Sequence, residues 1–228
     1  MMPAQTQTQA QAQPQPQIQG ATRLNIMPAT LSTTPISGFE RFVIQWQAKL
    51  LLMFGQRERA RQVHLALLAR APNDVLTLNS LGYAALQSGH PAQAHPYFEK
   101  VAVLAPAISN SHFNLAFVNE ALGRLEEAET SFKAAIAIEE KMDRAWYGLG
   151  LVLVRQGRLQ EALTVLQRNT QLQPMSPFGW YQVARVHVEL NQPEEARAVI
   201  RHLKNFEPKV AAQLERETGL KEELEVRS

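Results

Sequence analysis

The chain contains no cysteine, only two aspartates and no apolar run long enough to cross a bilayer. Without cysteine there is no disulfide framework, no thiolate metal site, no cysteine nucleophile and no lipidated-cysteine anchor. Asp74 and Asp143 stand alone among 21 acidic residues. The excess of glutamate, the better helix former, points to an all-helical chain and argues against two-carboxylate or aspartyl-metal chemistry. The most apolar stretches, Leu50–Phe54 and Leu149–Val154, are far short of the ~18 residues a membrane span needs, so no membrane insertion is expected. Charge of one sign is lacking as well. Twenty-three basic against 21 acidic residues give a net charge of +2, too balanced to imply a nucleic-acid partner. What remains is a chain of 228 residues, 45% hydrophobic, with ample material for a core.

The N-terminal residues 1–20 hold eight glutamines and no charge. Such a stretch buries too little apolar surface to offset its ordering entropy, so residues 1–23 are expected to be a disordered Gln/Pro-rich tail. They lack the basic start and apolar run of a signal peptide, which leaves the cytoplasm as the default location. Residues 24–40 carry Leu24, Ile26, Met27, Leu31 and Ile36, broken by Pro28 and Pro35. They read as an irregular segment that packs on the first helices.

From residue 41 onward the chain is periodic. Gly55, Gly89, Gly123 and Gly157 lie 34 residues apart, and Asn191 continues the series. Ala60, Ala94, Ala128, Ala162 and Ala196 keep the same spacing. So do Pro72, Pro106, Pro174 and Pro208, with Glu140 as the one substitute. A small residue recurs at Ala48, Gly82, Ala116, Gly150 and Ala184, and a mostly large one at His64, Phe98, Phe132, Leu166 and Ile200. Within one period, residues 144–156 and 159–171 each show apolar residues at helical spacing. The glycine between them supplies a left-handed helix end, and glutamates such as Glu161 suit the first turn of the second helix. The small residues let the two backbones approach closely. No helix pair buries its own stripe, so the units must stack. The reading is five units, 41–74, 75–108, 109–142, 143–176 and 177–210, with a capping helix over 208–220 and a frayed tail over 221–228. Glu140 removes the helix-stopping proline of the third unit, so its second helix is expected to run on through Lys141.

Trp146-x2-Leu149-Gly150-x2-Leu153, with Ala162, Leu166 and Pro174, resembles the tetratricopeptide repeat, and Leu78-x2-Leu81-Gly82 with Ala94, Phe98 and Pro106 does so too. The resemblance covers residues 41–210 and implies an α-solenoid that binds other proteins. Gln47 and His64 depart from the family pattern in the first unit.

Chemistry for catalysis is thin. The six histidines include no i, i+4 pair with a carboxylate partner, and the five-residue spacing of His90 and His95 is looser than metal ligands usually take. Gly148-x-Gly150 lies inside a helix with no strand before it, so it is no nucleotide fingerprint. Hence no enzyme activity, metal or cofactor is expected.

In tetratricopeptide arrays the first helix of each unit lines a concave groove. Carried onto this sequence, the groove is aromatic in its middle through Tyr83, Phe113, Phe117, Tyr147 and Tyr181, with Leu151 beside them. Asn79, Asn110 and Asn114 fall toward one end in chain order, and Arg144, Arg155 and Arg185 toward the other. Asparagine offers a donor and an acceptor to an extended peptide, aromatics give binding energy, and arginine takes carboxylate or phosphate. The Lys/Asn pattern of co-chaperones that grip acidic heat-shock tails is not matched by Gln45 and Lys49 or by Asn79 and Tyr83. The expected function is a scaffold or adaptor that binds a protein or peptide. The alternatives are a structural oligomerisation module with a self-filled groove and a non-catalytic accessory subunit of an enzyme complex.

The first helix, 42–54, is apolar in almost every direction, and a terminal unit needs a polar outer face. Either residues 24–39 fold back over it or two copies pair there as a homodimer.

Overall fold

The computed structural model describes residues 36–220, and among them every regular element is a helix. There are eleven: α1 Gly38–Met53, α2 Arg57–Arg70, α3 Val75–Gln87, α4 Pro91–Leu104, α5 Ser109–Ala121, α6 Leu125–Ile138, α7 Asp143–Arg155, α8 Leu159–Leu172, α9 Pro177–Glu189, α10 Pro193–Lys204 and α11 Pro208–Thr218. The tail over 1–23, most of the 24–40 segment and the tail over 221–228 lie outside the described residues.

The turn after each odd-numbered helix up to α9 repeats one device. Gly55, Gly89, Gly123 and Gly157 hold φ between 72° and 76°, and Asn191 holds 56°. The following residue then donates its N–H to a carbonyl five residues back, as from Gln56 to Leu51 (2.8 Å) and Arg158 to Leu153 (3.0 Å). This closes the helix end on itself. Close packing within pairs follows from the small series. A Cβ at Gly82 would lie 2.6 Å from the Phe98 ring, and one at Gly150 would lie 2.5 Å from Leu166. Between pairs, Phe132 of α6 occupies the space beside Gly148 of α7, and Asn169 and Thr170 of α8 occupy that beside Gly179 of α9. Each odd helix from α3 to α9 therefore sits between two even ones, and α11 closes the array through buried Ala211 and Leu214.

Two boundaries differ from expectation. Helix α1 starts at Gly38, so residues 38–40 are not irregular: Ser37 caps the helix through Oγ, which accepts from the Glu40 N–H at 3.1 Å. Helix α6 stops at Ile138 and does not reach Lys141. Its end is held by packing in place of proline. Met142 is buried, the Ser109 hydroxyl donates to Glu139 (2.5 Å), and the Trp146 indole donates to the Glu140 carbonyl (2.8 Å). Trp180 makes the same bond to the Pro174 carbonyl at 2.9 Å.

Candidate functional site

The odd-numbered helices carry one face made of the second, fifth, ninth and neighbouring positions of each unit. Side chains 31 to 36 residues apart join these helices directly. The Tyr83 hydroxyl of α3 donates to Asn114 Oδ1 of α5 at 2.8 Å, and Asn114 Nδ2 donates to Asn79 Oδ1 at 3.4 Å. Arg144 of α7 donates to Asn110 of α5, and its guanidinium lies 4.6 Å over the Phe113 ring. Arg155 donates to the Glu120 carbonyl at 3.0 Å and pairs with the Glu120 carboxylate at 3.5 Å. Tyr181 of α9 donates to Glu217 of α11 at 2.5 Å, while Arg185 sits 5.9 Å over the Tyr181 ring.

All twelve expected groove residues fall on these helices, but their surroundings differ. Tyr83 and Phe117 are nearly half exposed (46% and 47%), and Arg144, Arg155, Arg185 and Asn110 are exposed. Phe113, Tyr147, Leu151 and Tyr181 are half-buried: Phe113 meets Phe132 edge-on at 5.8 Å, and Tyr147 and Tyr181 pack on the α8–α10 core. Asn114 is only 6% exposed and spends its amide on Tyr83 and Asn79. It therefore positions the Tyr83 ring, and its amide faces the chain itself. Chain order also misleads about layout: Asn110 and Arg144, assigned to opposite ends, sit side by side, because the same position in successive units is adjacent across α5 and α7.

Two carboxylates in this face were not anticipated. Burial pushes the Glu120 carboxyl above its usual range, with Arg155 pulling the other way. Glu217 is held below its usual range by the Tyr181 hydroxyl and by Gln213, and Tyr181 is raised in turn. Glu120 is the twelfth residue of its unit, a groove position by count; Glu217 lies beyond the last unit and has no such signal.

The face offers half-exposed rings, cations laid over rings, and amide hydrogen bonds. Among the described residues no group of three metal-ligating side chains converges, and no helix is long and apolar enough to cross a membrane. Separately, a cleft of about 270 Å³ opens between the first two helix pairs, lined by Leu52, Ala60, His64, Leu81, His90 and Tyr97 among others. Burial holds the His64 imidazole below its ordinary pKa, with Asp74 opposing.

The family model for the tetratricopeptide repeat matches residues 79–142, and that described as anaphase-promoting complex, cyclosome, subunit 3 matches residues 133–203. Among curated proteins, none matches the sequence. Solved structures share the fold. MamA superposes with a TM-score of 0.69 at 21% identity, over 75% of this chain and 93% of that one. YrrB, described as a tetratricopeptide protein with an unusual peptide-binding site, gives 0.67 at 19%, over 76% and 90%. A thermophilic tetratricopeptide protein from Thermus thermophilus gives 0.56 at 19%, over 77% and 95%.

Proposed function

The chain belongs to the tetratricopeptide-repeat family, and from that premise we propose that it is a non-catalytic scaffold that binds an extended segment of another protein along the odd-helix face. The observation that carries this reading is the Arg144 and Arg185 pair, each exposed and each laid over the aromatic ring at the fifth position of a unit, Phe113 and Tyr181. A guanidinium held over a ring is pre-oriented, and its remaining N–H groups can meet a carboxylate without a large further loss of entropy. Tyr83 and Phe117 supply half-exposed apolar surface beside it. That YrrB is described as having a peptide-binding site supports the same use of the fold.

The test is affinity capture with the intact chain, followed by titration of the captured partner against Tyr147→Ala and Arg185→Ala. Each variant is expected to weaken binding by about tenfold or more, as truncated anchor residues do. Unchanged binding to both variants would refute the groove. A second reading, self-association, is favoured by a different feature, the row of large apolar side chains exposed along α1.

A further inference from the structure

Phe39, Val43, Trp46, Leu50 and Met53 follow one another at steps of four, three, four and three residues. That spacing aligns them in one stripe along α1, as in the seam of a two-helix coil. All five are exposed, Phe39 at 78%, Trp46 at 47% and Met53 at 70%, and Phe42 and Phe54 flank them on the same side. Ala48, on the opposite side, is the sole buried residue of the helix.

The stripe occupies a defined place in the array. Counting by 34, Val43, Trp46 and Leu50 correspond to Ala145, Gly148 and Val152 of α7, which are buried against the preceding even helix, where Phe132 fills the space beside Gly148. Among the described residues α1 has no preceding helix. Its residues there are also larger than in α7, so the close approach that Gly148 permits is not available. The other end of the array offers no match: α11 presents Lys209, Gln213 and Arg216 outward, so copies do not stack head to tail on apolar surface. The sequence before α1 carries Pro28 and Pro35, and proline is disfavoured inside the long helix that a four–three seam takes. A helix of the required length and pattern does exist in every molecule, namely α1 itself.

We propose that α1 pairs with α1 of a second copy, antiparallel, about a two-fold axis at Trp46. This rests on the self-association reading above. The stripe is nearly symmetric about that residue: Phe39 lies seven positions before it and Met53 seven after, Val43 three before and Leu50 four after. An antiparallel pair thus sets Phe39 against Met53 of the second copy and Val43 near its Leu50. It also opposes the two helix dipoles, which a parallel pair would align. Four aromatic rings and three aliphatic side chains, half to three-quarters exposed, offer on the order of 700 Å² per copy, close to the ~800 Å² each partner gives a standard interface. An isologous contact closes after two copies.

Light scattering on the full chain at micromolar concentration is expected to give twice the mass of one chain. Trp46→Glu is expected to weaken association by at least about tenfold, with helical circular dichroism unchanged; Phe39→Ser combined with Met53→Ser tests the same seam without touching the axis. Because the chain has no cysteine, single-cysteine variants report the register. A mixture of Phe39→Cys and Met53→Cys chains is expected to cross-link on mild oxidation, whereas neither alone should. A strictly monomeric full chain overturns both self-association and the pairing. A dimer that survives both seam variants, or in which Phe39→Cys cross-links to itself, overturns the pairing and leaves self-association standing. A mass above two chains overturns the two-fold closure.

Discussion

In α7 six residues are buried, from Ala145 to Leu153; in α1, three residues longer, only Ala48 is. The two helices occupy the same place in the same 34-residue period and end in the same left-handed glycine turn. They differ in what lies on either side. Helix α7 has α6 on one side and α8 on the other, and its residues belong to a continuous core with Phe132 and Ala162. Among the described residues, helix α1 has α2 as its neighbour, and beyond it lies a cleft where the first and second pairs meet. The period thus sets where these odd-numbered helices stop, whereas burial depends on having two neighbours. A repeat array is stabilised by its interfaces as well as by its units.

Four substitutions probe this contrast, from the largest effect to the smallest. Phe132→Ala removes a fully buried ring that touches both Phe113 and the backbone of α7. It is expected to cost about 3–5 kcal/mol in urea denaturation. Alanine at the matching His64, which borders the cleft, is expected to cost under about half of that, since the site is already underpacked. Equal losses would mean the first pair is packed as tightly as the third.

The next probe reverses the sign. His64→Phe installs the side chain that Phe132 supplies in the third unit, opposite Ala48 where that unit has Ala116, and is expected to stabilise by about 1 kcal/mol through added apolar burial. It should also change the pH profile. The folded His64 pKa is depressed below 6.5 by burial, so the unfolded chain binds the proton more readily. Stability from this group is complete above pH 6.5 and is lost as pH falls through the folded value. The native chain should therefore weaken between neutral and mildly acid pH, and His64→Phe should flatten that part of the curve. A variant with the same slope would move the titration elsewhere.

The smallest effect is at the surface of the well-packed region. Arg158 bridges Glu129 and Glu161, both at 2.6 Å. Only the Glu161 arm is well exposed, but Glu129 keeps Lys133 as a second partner at 2.6 Å, so Arg158→Ala is expected to change stability by no more than ~1 kcal/mol, and by less at high salt. A loss comparable to that of Phe132→Ala would shift the main source of stability from burial to charge.

The fold was legible because its signals are local and repeated: the glycine turns, the small–large pairs of Gly82 with Phe98 and Gly150 with Leu166, and the N1 prolines. Where legibility failed, the cause was either a signal outside the period or a neighbour from another unit. The start of α1 at Gly38 is written in Ser37-x-x-Glu40, a capping signature that the 34-residue count passes over. The end of α6 at Ile138 is set by Ser109 and Trp146, which lie in the adjoining helices. For the expected groove residues, periodicity gave their place on the odd-numbered helices but not their partners. It could not tell that Asn114 is committed to Tyr83 and Asn79, or that Arg144 meets Asn110, because those bonds join different units.

If the odd-helix face receives the partner, the outer surface of the even helices does not. A photo-reactive phenylalanine placed at Phe117, and in a separate chain at the exposed Thr164 of α8, tests this most directly. Cross-linking of the captured partner from the α5 position and not from the α8 position is the expected result; cross-linking from the α8 position alone would contradict it.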